Sequence, residues 1–320
     1  MNQQYYSPIQ VQRIRAIALT VSDVGRSQAF YTQALGFQSV SDITVAGEVY
    51  SQLTGVPDAK IRIVTLQLGE ELIELMQYLD IPGKPIPADS QSNDLWFQHL
   101  AIVVSDLDRA YAHLKLFAIE AISTTPQTIP PDNPSAAGIR AFKFKDPDRH
   151  PLELIWFPPD KGQSKWHQHC DRLFLGIDHS AIAIANTEQS LRFYRDLLGM
   201  QIGGGSLNQG ETQATLDGLP AAKVRITALK PAQGGIGIEL LDYLIPEDDR
   251  PIPNHWRSCD IAHLHMELVV ADLEQAVRHL HRHDVQFVSS QLVQFPSPIP
   301  YRQGCLIKDP NGHALLLIME

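Results

Sequence analysis

The chain says one thing twice. KDPDRHPLELIWF (145–157) returns 163 residues later as KDPNGHALLLIME (308–320), and SQAFYTQALGF (27–37) returns at the same offset as SLRFYRDLLGM (190–200). LTGVPDAKIRIVTL (53–66) likewise answers LDGLPAAKVRITAL (216–229). ELIELMQYL (71–79) matches IGIELLDYL (236–244) at an offset of 165, and NDLWFQHLAIVVSDL (93–107) matches CDIAHLHMELVVADL (259–273) at 166. A small drift that closes again by the last block marks loop insertions and deletions, which cost little closure entropy. Whatever fold this chain adopts must be built from two copies of one domain. The copies are residues 13–157 and 174–320, and PPDKGQSKWHQHCDRL (158–173), rich in Pro, Gly and polar residues, reads as their linker.

Each copy divides again. RIRAIALTV (13–21) has the composition of a strand; the helix after it sets Phe30, Tyr31, Ala34 and Leu35 on one face and stops at Gly36, a good residue for the position after a helix end. IRIVTLQL and EELIELMQY then alternate or run apolar over strand lengths. The order returns with WFQHLAIVV (96–104), a helix from about Asp106 to Phe117 with Asp106 as N-cap, and strands near 139–145 and 151–157. The pattern predicts an α+β protein of four βαβββ units. Phe30, Tyr31, Phe193 and Tyr194 are expected in the helix-face core.

Composition narrows the function. At 320 residues, 44% hydrophobic and 19% charged, the chain has room for two ordinary cores. Its net charge of -10 disfavours a nucleic-acid partner, which calls for a basic face. The start, MNQQYYSPIQVQR, lacks an apolar leader segment, and no apolar run reaches the ~18 residues of a membrane span. The expectation is a cytoplasmic protein, monomer or homodimer, acting on a small molecule. Cys170, Cys259 and Cys305 are odd in number and have no CxxC spacing, so neither a disulfide framework nor a thiolate zinc site is expected.

Four βαβββ units, helices carrying FY before a terminal LG, IELM or IELL strands and a closing DPxxHxLEL together resemble the vicinal oxygen chelate superfamily, the group of glyoxalase I and the extradiol dioxygenases. The resemblance covers about nine-tenths of the chain. It implies two glyoxalase-like half-barrel domains in which paired units close around a divalent metal, with ligands from the first and last strands of each unit; for this chain the expectation is one divalent ion (Ni, Zn, Co, Mn or Fe).

Carried over position by position, the resemblance implies Ala16 and Glu74 in the first unit, His99 and Glu153 in the second, His179 and Glu239 in the third, and His265 and Leu316 in the fourth. Paired within each copy, every site lacks one ligand. Two-domain members of the glyoxalase I family can pair units across the copies, second with third and first with fourth. That pairing gives one complete set, His99, Glu153, His179 and Glu239, and one degenerate set, Ala16, Glu74, His265 and Leu316. Two imidazoles and two carboxylates leave two positions of an octahedral ion for water or a chelating substrate. Against these readings stand plainer ones: a lone Glu in a strand can face water, and a lone His at a strand start is more often structural. His150 and His313 read as turn residues, and the HLHRHD (279–284) and WHQHC (166–170) clusters as solvated.

For activity the resemblance implies a substrate with vicinal oxygens, Lewis-acid stabilisation of an enediolate, and Glu153 or Glu239 as the base, in an isomerase or lyase of the glyoxalase I or methylmalonyl-CoA epimerase type. The chain departs from glyoxalase I where that enzyme holds glutathione: Tyr243 and Ala183 stand at the places of its Asn and Arg. Two alternatives remain open. One is an Fe(II) extradiol dioxygenase using His99, His179 and Glu153; the other is a non-catalytic drug-binding protein of the same fold.

Overall fold

The computed structural model describes residues 9–168, 171–296 and 299–320. Cys170 lies outside them; Cys259 and Cys305 are buried free thiols. Each unit opens with a strand followed by a helix whose first turn is capped by a short polar side chain. Asp23, Asp106, Asn186 and Asp272 each accept the backbone N–H three residues on, satisfying one donor that the helix cannot. The first helix, Val24–Leu35, buries Phe30, Tyr31, Ala34 and Leu35 and ends at Gly36 in the left-handed region (φ 73°), where a Cβ would be penalised. Its counterpart in the third unit starts as an α-helix, Thr187–Leu191, and widens into a π-helical turn over Arg192–Leu197.

Two nine-stranded sheets result, and both are built across the copies. The opening strand of unit 1, Val11–Thr20, pairs antiparallel with that of unit 4, Leu264–Val270. The opening strand of unit 2, Gln98–Val104, pairs with that of unit 3, Phe174–Ile184. The IELM and IELL strands, Glu71–Tyr78 and Gly237–Ile245, flank units 1 and 3 in parallel, and the closing strands Pro151–Trp156 and Ala314–Met319 flank units 2 and 4. The chain is thus two glyoxalase-like barrels, each assembled from one unit of either copy. Two short helices, Glu48–Thr54 and Glu211–Asp217, follow the second strands of units 1 and 3 and were not evident in the sequence pattern.

Strand alternation decides what faces what. On Gln98–Val104, Leu100, Ile102 and Val104 enter a core that also holds Ile17 and Leu19 of the other sheet, with Tyr31 and Tyr194. His99, Ala101 and Val103 take the opposite face. Tyr31 and Tyr194 bring their hydroxyls to Asp146 (3.2 Å) and Asp309 (3.0 Å), the first residues of the two DP turns. His150 and His313 are turn residues as expected, but buried ones. Their Nε2 atoms bond the carbonyls of Ile261 and Ala183, each at 2.8 Å, and so tie each turn to the other barrel. The HLHRHD cluster is only partly solvated: His279 is buried and His281 stacks on Phe287 at 4.1 Å. Among the described residues no helix is long and apolar enough to cross a membrane.

Candidate metal centre

The pairing of Gln98–Val104 with Phe174–Ile184 sets two imidazoles side by side, with ring centroids 5.8 Å apart. His99 Nε2 lies 3.3 Å from Glu153 Oε2, and His179 Nε2 lies 3.8 Å from the same oxygen. One ligand atom from each of His99, Glu153 and His179 falls within 4.8 Å of the other two, and all three residues are buried. Glu239 reaches the group from one side, its Oε2 3.4 Å from His179 Nε2, and stands outside the mutual grouping. The structure therefore brings together all four residues of the set that looked complete.

A register shift between Ile177 and His179 breaks the alternation of the opening strand. Bulges of this kind re-aim side chains, and here Asp178 as well as His179 turns toward the site. Asp178 Oδ2 meets His179 Nδ1 at 3.1 Å, while Oδ1 accepts from Trp166 Nε1 (2.8 Å) and Gln163 Nε2 (3.1 Å). Trp166, expected to be solvated, is buried against Asp178 in a short turn, Ser164–His167. A carboxylate on the far nitrogen is what a metal-binding histidine ordinarily carries. It leaves His179 Nε2 bare, and that atom and both ring nitrogens of His99 are buried without a hydrogen-bond partner among the described residues. Orphaned polar atoms of this kind cost free energy unless something binds them.

The electrostatics point the same way. Burial, with Lys143 nearby, pushes His99 down to about 4 against the pull of Glu153, so its imidazole is neutral and free to donate a lone pair. Burial would also lower His179, but Glu239, Asp178 and Glu153 raise it to about 9. Glu153 resists burial because His99, Lys143 and His179 hold it near 2. Burial and the neighbouring Glu153 and Asp178 raise Glu239, although His179 opposes them. Two carboxylates and a carboxylate-backed imidazole so close together call for a cation.

Above the four groups the cavity is walled by apolar side chains such as Ile139, Phe157 and Val224, with Lys143, Asn208 and Tyr243 as polar points. Lys143, opposite Glu153 on the neighbouring strand, donates to Asp217 at 2.7 Å and is fully buried. Burial alone would weaken it as a base, but Asp217, Glu153 and Glu239 raise it, so it stays charged. A lysine inside the strand RAFKFK was a visible signal that the repeat comparison passed over.

The other barrel holds the degenerate set. Ala16 and Leu316 are buried, Leu316 in an apolar cluster with Val269 and Leu306, and His265 Nδ1 sits 3.2 Å from His263 Nε2. Glu74 does not wait for a metal: Arg15 Nη1 donates to it at 2.9 Å and also bonds Glu267. Arg15 occupies the place that Asp178 holds in unit 3, beside an equivalent register shift between Ile14 and Ile17. Glu267 occupies the place of Ala101, since it pairs with Leu316 as Ala101 pairs with Glu153.

A model of the Glyoxalase/Bleomycin resistance protein/Dioxygenase superfamily matches residues 13–154 and 176–317. The chain belongs to this superfamily. Two half-length relatives match: the uncharacterised protein YwkD of Bacillus subtilis (strain 168), 32% identical over 146 residues, 45% of this chain and 96% of that one, and the uncharacterised protein YaeR of Escherichia coli (strain K12), 30% identical over 146 residues, 45% and 95%. Among solved structures, glyoxalase I from Zea mays overlays 96% of this chain and 92% of its own with a TM-score of 0.62 at 16% identity. A putative dioxygenase from Bacillus subtilis overlays 97% and 86%, TM-score 0.60, at 11% identity. These structures share the superfamily fold. Within it, the His99, Glu153 and His179 cluster is a group that could hold a metal ion.

Proposed function

We propose that the chain is a divalent-metal enzyme that transfers a proton at a carbon adjacent to chelating oxygens, an isomerase or lyase of the glyoxalase I or methylmalonyl-CoA epimerase kind. The observation that carries this reading is the convergence of bare, buried His99 and His179 nitrogens with Glu153. That donor set fits one divalent ion and leaves coordination positions free. His99, His179, Glu153 and Glu239 would hold it. Bound there, the ion supplies Lewis-acid polarisation of the substrate's vicinal oxygens.

The chain's own residues do the rest. Asp178 fixes the tautomer and orientation of His179. The apolar wall excludes water, which strengthens every charge interaction inside. Glu239 is the base: its side chain is 26% exposed and opens on the cavity, whereas that of Glu153 is 7% exposed and pinned between both histidines. A carboxylate at the cavity edge can accept the substrate's α-proton and return it to a neighbouring atom. With Tyr243 and Ala183 in place of glutathione-binding residues, the glutathione hemithioacetal is not the expected substrate.

The competing reading has one observation in its favour. The groups that close within 4.8 Å are two histidines and one carboxylate, the donor set of Fe(II) oxygenases. The deciding experiment incubates metal-loaded protein in deuterated solvent with a panel of α-hydroxy ketones, 2-oxo thiohemiacetals and acyl-CoA thioesters, with oxygen monitored in parallel against catechols. The proposal expects α-deuterium incorporation without oxygen uptake, and loss of exchange in Glu239→Gln with most of the metal retained. Oxygen consumption with a catechol and no exchange would replace it with the dioxygenase reading.

A further inference from the structure

A second cleft is lined by residues of both barrels, among them Gln98 of one and Ala314 of the other. Trp96, Trp256 and Phe287 are its aromatic lining, and Lys308 and Arg257 are its basic lining. Among the described residues no carboxylate lines it, although the chain has 36 acidic residues against 26 basic ones. Its place in the repeat has a twin, and the twin shows what is unusual. In the first copy Lys145 stands opposite Glu120 in the strand register and pairs with it at 2.7 Å, and Arg149 pairs with the same carboxylate at 2.8 Å. In the second copy Lys308 stands opposite Gln286, a neutral residue, and Gly312 replaces the arginine.

Lys308 is half-buried, and neither it nor the Arg257 side chain has a hydrogen-bond or ion-pair partner among the described residues. Burial weakens Lys308 as a base and nothing nearby offsets that. A half-buried ammonium without a counter-charge is costly and is relieved by a bound anion. The aromatic wall sets the rest of the ligand. Trp96 and Trp256 pack on one another with centroids 5.3 Å apart and planes 59° to one another, Arg250 lying over the buried Trp96 ring at 4.8 Å, so the pair forms one aromatic wall on which Trp256 is the more exposed ring. At about 280 Å³ the cleft is at the small end of ligand pockets, with room for one or two fused rings and not for a nucleotide.

We infer that this cleft is a binding site, separate from the metal centre, for a small planar organic acid whose carboxylate is received by Lys308 and Arg257 and whose ring is held by Trp96 and Trp256. The test is calorimetric titration of the full, metal-loaded chain with 2-naphthoate, with its neutral amide, and with acetate. The expected result is one saturable site for 2-naphthoate, with the amide and acetate each at least about tenfold weaker, because each lacks one of the two recognition elements. Lys308→Gln should weaken 2-naphthoate about tenfold or more, and Lys145→Gln should leave it unchanged. Arg257→Gln, an exposed side chain whose loss does not threaten folding, should weaken it several-fold and keeps the test decisive if Lys308→Gln fails to fold. Absence of saturable binding, equal affinity for acid and amide, or an equal loss in Lys145→Gln would each overturn the inference.

Discussion

The two barrels are copies of one design with opposite answers to the same electrostatic problem. In the barrel of units 2 and 3, Glu153 and Glu239 converge with two imidazoles, and the nearest built-in cation, Lys143, is already committed to Asp217. In the barrel of units 1 and 4, Glu74 survives from the ligand pattern but two partners are replaced by Ala16 and Leu316, and a guanidinium now stands among the carboxylates. A metal site that simply lost ligands would strand a buried carboxylate, at a cost of several kcal/mol. Arg15 removes that cost by bringing the positive charge into the chain itself, with Tyr301 lying 5.6 Å from the guanidinium. One barrel leaves its cation to be recruited and can therefore open coordination positions to a substrate; the other has its cation bonded in place and has none to offer.

Removing the resident cation should be the largest perturbation. Arg15→Met leaves Glu74 and Glu267 buried without a counter-charge and is expected to destabilise the fold by about 3–5 kcal/mol in denaturant unfolding. A loss below about 1 kcal/mol would mean the triad is incidental.

The next effect is a pH dependence. One guanidinium cannot neutralise two adjacent carboxylates, so one keeps its proton: burial and the Glu74 charge push Glu267 from 4.5 up to about 8 although Arg15 opposes them. For an acid raised in the folded state, the folded chain holds a proton that the unfolded chain has released above its own pKa. The contribution of this group to stability is therefore fully present below about pH 4.5 and is lost as pH rises through about 8, by an amount on the order of a few kcal/mol. Glu267→Gln should flatten that slope, so the wild-type minus variant difference across this window isolates it; identical slopes would contradict the assignment.

Smaller again is the orientation of the recruited site. Asp178→Asn should weaken metal affinity about 10- to 100-fold while leaving the unfolding midpoint of the metal-free chain nearly unchanged. The smallest effect serves as the control: Arg13, exposed and paired with Glu320 on the surface, should cost less than about 1 kcal/mol when changed to Met.

The repeat, the four units, the helix ends at Asp106 and Gly36 and the four converging residues were legible because they rest on periodicity and on positions that the copies share. The crossing of units was legible only indirectly, since strand pairing between copies is a tertiary choice; the clue was that both missing ligands, at 16 and 316, belong to one crossed barrel. Arg15, Glu267 and Asp178 were not seen. Strict alternation puts Arg15 and Ala16 on opposite faces of a strand, as it does Asp178 and His179, and only the register shift turns both neighbours toward one site. Trp166 was missed for a different reason: a linker rich in polar residues gave no sign that its tryptophan folds back to hold Asp178. The uncompensated Lys308 becomes visible only when strand register shows Gln286 where its twin has Glu120.

The most direct test is metal content, measured by elemental analysis on protein purified without chelator. One equivalent of divalent metal per chain is expected in the wild type and close to none in His179→Ala. A second equivalent is expected only when Arg15→Asp, Ala16→His, Glu267→Ala and Leu316→Glu together copy the pattern of the other barrel. Two equivalents in the wild type, or one equivalent retained in His179→Ala, would show that the resident arginine does not close its barrel to metal or that the recruited ion sits elsewhere.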